Sequence, residues 1–434
     1  MFRKAMEDLK AWKAGSRRKP LVLKGARQVG KTWLMKEFAA SEYEDSVYVS
    51  FDKDADAAKI FDSTKDPNII IERLALISGK AILPEKTLIV LDEIQECPDA
   101  LSALKYFNEE ANEFHVIAAG SLLGTYLSKP ASYPVGKVNL LNIYPLNFEE
   151  YLAAVDMGMY QYYYRIKSKK DYVPAFHGRM TEHYKKYLII GGMPECVQSW
   201  ANNANPDEID IIQNEIITLY ENDFTKHSNK VNSGKILQIF RSIVPQLAKA
   251  NNEKFMYSAI AKSARAKDFE DAIEWLVSSG IAYRVMNISK PEYPLRAYEI
   301  LNYFKLFFLD VGLIKRQARL SNKSILLSEA FQFKGQLAEN YVLEQLLPLL
   351  DYTPNFFTFA QDREIDFIIQ CGETIIPVEV KSGESIRAVS LKSYIEKYNP
   401  KISVRLSAKE FIENDAIINI PLYLAGKILD LTSA

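Results

Sequence analysis

A chain of 434 residues is too long to fold around one core, so two to four domains are expected. With 48% apolar and 25% charged residues it reads as folded and water-soluble, and a net charge of −1 excludes global electrostatic attraction to nucleic acid or membrane. Three scattered cysteines, Cys97, Cys196 and Cys371, suggest neither a disulfide framework nor a zinc site. Met1-Phe2-Arg3-Lys4 leads into a charged amphipathic helix, and no apolar run is long enough to span a bilayer; the expected location is cytoplasmic.

The first distinctive stretch is Leu21 to Phe38. Apolar residues Leu21-Val22-Leu23 predict a strand, and a helical pattern runs on from Lys31. Between them Gly25-Ala26-Arg27-Gln28-Val29-Gly30-Lys31-Thr32 fits GxxxxGK[ST], a phosphate loop. Gly25 and Gly30 permit a turn whose backbone N–H groups converge on phosphates, and the helix adds its positive end. Lys31 supplies a point charge for the β- and γ-phosphates of ATP, and the Thr32 hydroxyl is placed to ligate Mg²⁺.

Further strands are predicted at Val47–Phe51, Leu88–Leu91 and Val116–Ala119, with a helix over Asn68–Ser78. Strands alternating with helices imply a parallel sheet whose ligands sit at the strands' carboxyl ends. Asp92-Glu93 ends the second of these runs, which makes it a Walker B strand. Asp92 would hold Mg²⁺ and Glu93 would polarise the attacking water. An acidic strand end that merely caps a helix is the alternative. Ser121, after the next strand, stands where a sensor would feel the γ-phosphate, or is a turn serine. Arg27, inside the phosphate loop, either touches phosphate or braces the loop, and Lys137, after Gly136 and before a strand, could reach the edge of the site; neither is assigned as an arginine finger.

Five segments, GARQVGKT, LIVLDEIQE, a strand ending AAGS, PVGKVNLLNIYPLNFEEYL and YLIIGGMPE, together resemble the prokaryotic predicted AAA-type ATPases that carry a C-terminal restriction-endonuclease-like domain. That resemblance implies an α/β fold: an AAA+ core, a helical lid with a G-x-P signature at Gly192-Met193-Pro194, and Pro194 near the nucleotide base. A turn followed by a helix-starting proline explains the same residues without nucleotide. The expected domains are an ATPase core at 1–154, a lid and connector at 155–228, a winged-helix-like domain at 229–325 and a nuclease-like domain at 326–434.

The tyrosines of Tyr151–Tyr220 read as core, since no basic residues interleave with them. Lys226–Lys267 holds nine Lys/Arg against one acid, and two short helices followed by a strand pair give it a winged-helix outline. Asp268, Glu270, Asp271 and Glu274 on the second helix would repel phosphate, so DNA contact and a packing role both stand open.

In the last stretch Asp366, then Glu379-Val380-Lys381, fits the D…(E/D)xK pattern of restriction-type nucleases. If Gly372-Glu373 is a two-residue hairpin loop, Cys371 pairs with Thr374, Asp366 faces Glu379, and Glu364 faces Lys381. Opposed carboxylates make sense around a divalent cation, with Lys381 steadying developing charge and Glu339 adding a carboxylate from the preceding helix. An ordinary Glu364–Lys381 surface pair is the alternative. Three functions follow: an ATP- and Mg²⁺-dependent ATPase moving appended domains, an ATP-gated Mg²⁺-dependent DNA nuclease, or a slow nucleotide switch acting on a protein partner or a second copy.

Overall fold

The computed structural model describes residues 1–120, 136–227, 231–249, 254–260, 265–327, 333–350, 352–360, 363–383, 389–414 and 416–432. They form two compact units: residues 2–144 with 278–280, and Met1 with 145–277 and 281–434.

The first unit is built on a parallel sheet of β1 (Leu21–Lys24), β2 (Asp45–Ser50), β3 (Thr87–Asp92), β4 (His115–Gly120) and β5 (Asn139–Asn142), in the order β2-β3-β4-β1-β5. Every residue of β3 and β4 is buried, as uninterrupted apolar runs covered on both faces must be. Helices Lys31–Glu42, Ala55–Ser63, Pro67–Ser78 and Pro98–Glu110 connect the strands. Pro67–Ser78 starts where proline tolerates its missing N–H, with the Asp66 carboxylate accepting from the Asn68 and Ile69 amides. Val49, Phe61, Leu74, Ile89, Leu91, Leu104, Phe107 and Val116 share one core with neighbouring apolar residues. Because β4 lies between β1 and β3, the loops leaving those two strands open onto one crevice.

The second unit is helical at first: Phe148–Val155, Met157–Arg165, His177–Ile190, Pro194–Ala201 and Pro206–His227. Asn147 and Glu150 cap the first of these reciprocally. Tyr151, Tyr163, Tyr187 and Tyr341 are fully buried and pack around Phe148 with ring centroids 5.8–6.2 Å apart, so these tyrosines are core. An eight-stranded sheet follows: β6 (Ala282–Ile288), β7 (Glu299–Phe308), β8 (Asn355–Phe359), β9 (Arg363–Cys371), β10 (Thr374–Lys381), β11 (Val404–Ser407), β12 (Ile412–Asn414) and β13 (Ile417–Pro421). Its order is β12-β13-β11-β10-β9-β8-β6-β7, with β10, β11 and β13 mutually parallel.

Two features differ from the sequence expectation. The strand pair of the winged-helix-like segment, β6 and β7, joins β8, and Ile288 and Leu295 share a core with Phe357, Ile365 and Tyr394. A two-stranded ribbon has too little apolar area to stand alone, and here it extends a larger sheet. On the preceding helix, Ala266–Ser278, two of the four acids are ion-paired: Glu270 and Glu274 both pair with Arg284 of β6, at 2.9 and 3.0 Å. The hairpin register is as expected: Cys371 opposes Thr374, and the pairing runs to Phe367 opposite Val378. Among the described residues, no helix is long and apolar enough to cross a membrane.

Candidate active site

The crevice of the first unit gathers the phosphate-loop residues. Gly25 (φ 154°) and Gly30 (φ 91°) hold backbone conformations that side chains resist, and a Cβ on Gly25 would lie 2.2 Å from the Ile143 carbonyl oxygen. Gly30 caps the helix that begins at Lys31. The Lys31 ammonium donates to the carbonyls of Gly25 at 2.9 Å and Ala26 at 2.7 Å, so it lies folded across the loop. Burial lowers its pKa from 10.5 to about 8, against the opposing pull of Glu93 and Asp92, and Arg27 lowers it a little further. An anion accepting from that ammonium would relieve the penalty.

At the second residue of the same helix, the Thr32 hydroxyl donates to Asp92 Oδ2 at 2.7 Å. Asp92 is buried at the tip of β3, and its Oδ2 also accepts from the Tyr48 hydroxyl at 2.8 Å. Its Oδ1 accepts from the Glu93 amide at 3.0 Å. Glu93 itself sits at φ 51°, left-handed for a non-glycine residue, and its carboxylate accepts from Gln95 Nε2. Strain of this kind costs about 1–3 kcal/mol and persists where surrounding contacts fix it. The hydroxyl and carboxylate expected to hold Mg²⁺ are therefore in direct contact.

Arg27 is half-buried within the loop, and Lys137 pairs with Glu109 at 2.8 Å. Ser121 lies outside the described residues. Pro194 opens the helix Pro194–Ala201 in the second unit. There the Gly192 amide donates to Asp310 Oδ2 at 2.6 Å, and the Leu313 amide donates to Oδ1 at 2.9 Å. Burial raises the Asp310 carboxyl to about 6.

Sequence reasoning missed four residues here. Arg3, buried, donates to the carbonyls of Val29 at 2.9 Å and Tyr144 at 2.7 Å, bracing the phosphate loop from the N-terminal segment. No local pattern marks it. Tyr48 alternates with apolar β2 neighbours, which marks only its face. Asp310 follows an apolar strand and starts the helix Val311–Gln317, a capping signal. Lys305, within the apolar run of β7, is an inward cation that needs a buried anion.

That anion is Glu364. The alternative of a Glu364–Lys381 surface pair is not formed: Lys305 bonds Glu364, and Lys381 Nζ lies 2.5 Å from Glu379 Oε1. Burial alone would lower both lysines, but the surrounding carboxylates raise them. Asp366 Oδ2 accepts from the Val380 amide at 2.6 Å, placing it against the strand that carries Glu379. Burial and neighbouring acids raise Glu339 to about 8 and Glu379 to about 7, and Asp366 rises for the first reason. Glu379 Oε2 is buried without a hydrogen-bond partner. Among the described residues no three or more His, Cys, Asp or Glu side chains converge as a metal site, and Lys381 occupies one side of Glu379.

Residues 17–152 match the family described as AAA domain. This part of the chain is similar to an AAA domain. Residues 181–324 and 334–424 match two families described as Domain of unknown function (DUF8612) and Domain of unknown function (DUF4143). No curated protein matches the chain. Among solved structures the chain is similar, at 13% identity and TM-score 0.26, to a Pyrococcus horikoshii signal transduction ATPase with numerous domains that has a tetratricopeptide repeat sensor. That alignment covers 80% of this chain but only 45% of the other, less than half its length. The Aeropyrum pernix ORC1 protein in complex with DNA aligns at 13% identity over 75% of this chain and 91% of its own, TM-score 0.25. The Thermotoga maritima RuvB Holliday junction branch migration motor aligns at 14% over 66% and 90%, TM-score 0.27. Overlaps this low decide nothing about function, so the AAA domain rests on the family match and the crevice geometry.

Proposed function

We propose that the AAA domain binds ATP and hydrolyses it. The observation that carries this is the 2.7 Å contact between Thr32 Oγ1 and Asp92 Oδ2, which joins the phosphate-loop helix to the acidic tip of β3. The loop amides from Ala26 to Gly30 take the phosphates, and Lys31 leaves the carbonyls of Gly25 and Ala26 for the β- and γ-phosphates. Thr32 and Asp92 are the residues that would hold Mg²⁺, which when bound supplies neutralising charge to the transferring phosphoryl group. Glu93 takes a proton from the attacking water, its backbone fixed by the Asp92 carboxylate and its side chain by Gln95. Ser121 acts as γ-phosphate sensor, Pro194 borders the base, and the nucleotide state moves the lid and appended domains. Phosphate release tests this: Lys31→Ala removes turnover, and Glu93→Gln keeps ATP binding while slowing hydrolysis by about 10²–10⁴-fold.

A second reading, Mg²⁺-dependent DNA cleavage by Asp366, Glu379, Lys381 and Glu339, is favoured by the unpartnered Glu379 Oε2 among carboxyls whose pKa values are raised. A divalent cation there would replace protons as the compensating charge. Mn²⁺ that raises the melting temperature of the wild type but not of Asp366→Asn supports it; no shift in either discards it. DNA, or a protein partner in a non-cutting switch, is the client these readings leave to the second unit.

A further inference from the structure

The second unit contains a cavity of about 540 Å³ that neither reading uses. It lies past the carboxyl ends of the three parallel strands β10, β11 and β13, which finish at Lys381, Ser407 and Pro421. Ser382-Gly383, Ala408 and Leu422-Tyr423, the residues leaving those strands, form one wall, and one face of the helix His177–Ile190 forms the other. Open parallel sheets hold ligands at this end of their strands. Lys381 pairs in register with Ser407, so the cavity begins one residue beyond the buried charge cluster.

Its lining has two characters. Lys185 and Lys334, from different helices, both line it, the Lys185 ammonium donating to the Leu326 carbonyl at 3.3 Å, and Glu182 is an exposed carboxylate on the same helix as Lys185. Lys334 begins the helix that carries Glu339. His177 is steadied by the hydroxyls of Tyr423 at 3.0 Å and Tyr172 at 3.3 Å from its Nδ1. Tyr184, Leu188, Ile325 and Leu422 make the rest apolar. Paired cations beside an aromatic and aliphatic wall suit a ligand with an anionic head and a flat, weakly polar body. The volume falls within the ~300–1,000 Å³ typical of small-molecule sites, and a duplex does not fit such a volume.

We propose that this cavity binds a phosphate monoester of a nucleoside, its phosphate on Lys185 and Lys334 and its base against Tyr184 and Leu422. The ligand is either a free mononucleotide or the phosphorylated end of a single strand. The site is independent of ATP hydrolysis by the AAA domain, and either can fail without the other.

Calorimetric titration of the full chain, with a non-hydrolysable ATP analogue present throughout, tests it. The probes are thymidine, thymidine 5′-monophosphate, and a hexathymidylate with and without a 5′-phosphate. The phosphorylated member of at least one pair binds tenfold or more tightly than its unphosphorylated partner. Lys185→Ala and Lys334→Ala each weaken that binding several-fold, and together they erase the preference, while ATP turnover stays at the wild-type rate. Preference within the monomer pair identifies a free nucleotide, and preference confined to the hexamer pair identifies a strand end. Lys185→Gln and Lys334→Gln, which keep most of the side-chain stem, give the same loss if either alanine variant melts early. No phosphate preference in either pair, or a preference that survives both lysine changes, overturns the proposal.

Discussion

Lys31 gives the proposed ATP site a proton linkage whose size follows from its burial. In the nucleotide-free protein its pKa falls from 10.5 to about 8, and its ammonium has only loop carbonyls for partners. That difference corresponds to about 3 kcal/mol between its two protonation states. Triphosphate oxygens beside the ammonium raise the pKa again, so the bound state holds more protons and affinity falls as pH rises through 8. The protonated fraction of the free protein is about 90% at pH 7, half at pH 8 and about 10% at pH 9. ATP affinity therefore drops roughly fivefold between pH 8 and pH 9, and binding at pH 8 takes up about half a proton. Titration calorimetry in two buffers of different ionisation enthalpy reads the uptake directly, and Lys31→Met removes it. Stability has the opposite sign: this depressed lysine favours the folded free protein above pH 10.5 and loses that contribution as pH falls through 8. Affinity that is flat from pH 7 to 9.5, with no proton uptake at pH 8, would refute the placement of Lys31 against phosphate.

Arg3→Ala removes both donors to the Val29 and Tyr144 carbonyls and loosens the phosphate loop; equilibrium titration should show ATP binding weakened by roughly tenfold, about 1.4 kcal/mol, with the fold retained. Asp310→Ala leaves the buried amides of Gly192 and Leu313 without acceptors, and thermal unfolding should show a loss of about 2–4 kcal/mol. Glu339 has a folded pKa of about 8 against 4.5 ordinarily, so its contribution is complete below pH 4.5 and is lost as pH rises through 8. Glu339→Gln should flatten the decline in melting temperature over that window and stabilise the protein at pH 8, and parallel melting curves for variant and wild type would contradict this.

The parts of the fold written in contiguous residues were legible. The glycine spacing of residues 25–32, the apolar runs of β3 and β4, and the Gly372-Glu373 turn each carry their structural cause within a few positions. Counting from that turn puts Phe367 opposite Val378, where the sheet has them. Contacts made across long separations were not legible. Arg3 reaches Tyr144, Lys305 reaches Glu364, and the Gly192 amide reaches Asp310, and no periodicity links such partners. Lys305 explains why Glu364 is not paired with Lys381: a buried cation on β7 claims it, which frees Lys381 for Glu379. The edge between the 229–325 and 326–434 segments was drawn from a change of pattern, whereas β6 and β7 join β8 in one sheet whose hydrogen bonding no composition shift reveals.

The central claim is that Lys31, Thr32, Asp92 and Glu93 act on one triphosphate. Single-turnover hydrolysis of radiolabelled ATP by wild type, Lys31→Ala and Glu93→Gln tests it most directly, because bound ATP and released phosphate are read from the same sample. The wild type should bind and release phosphate, Glu93→Gln should retain intact ATP, and Lys31→Ala should retain almost none. Phosphate release at the wild-type rate from both variants would contradict it.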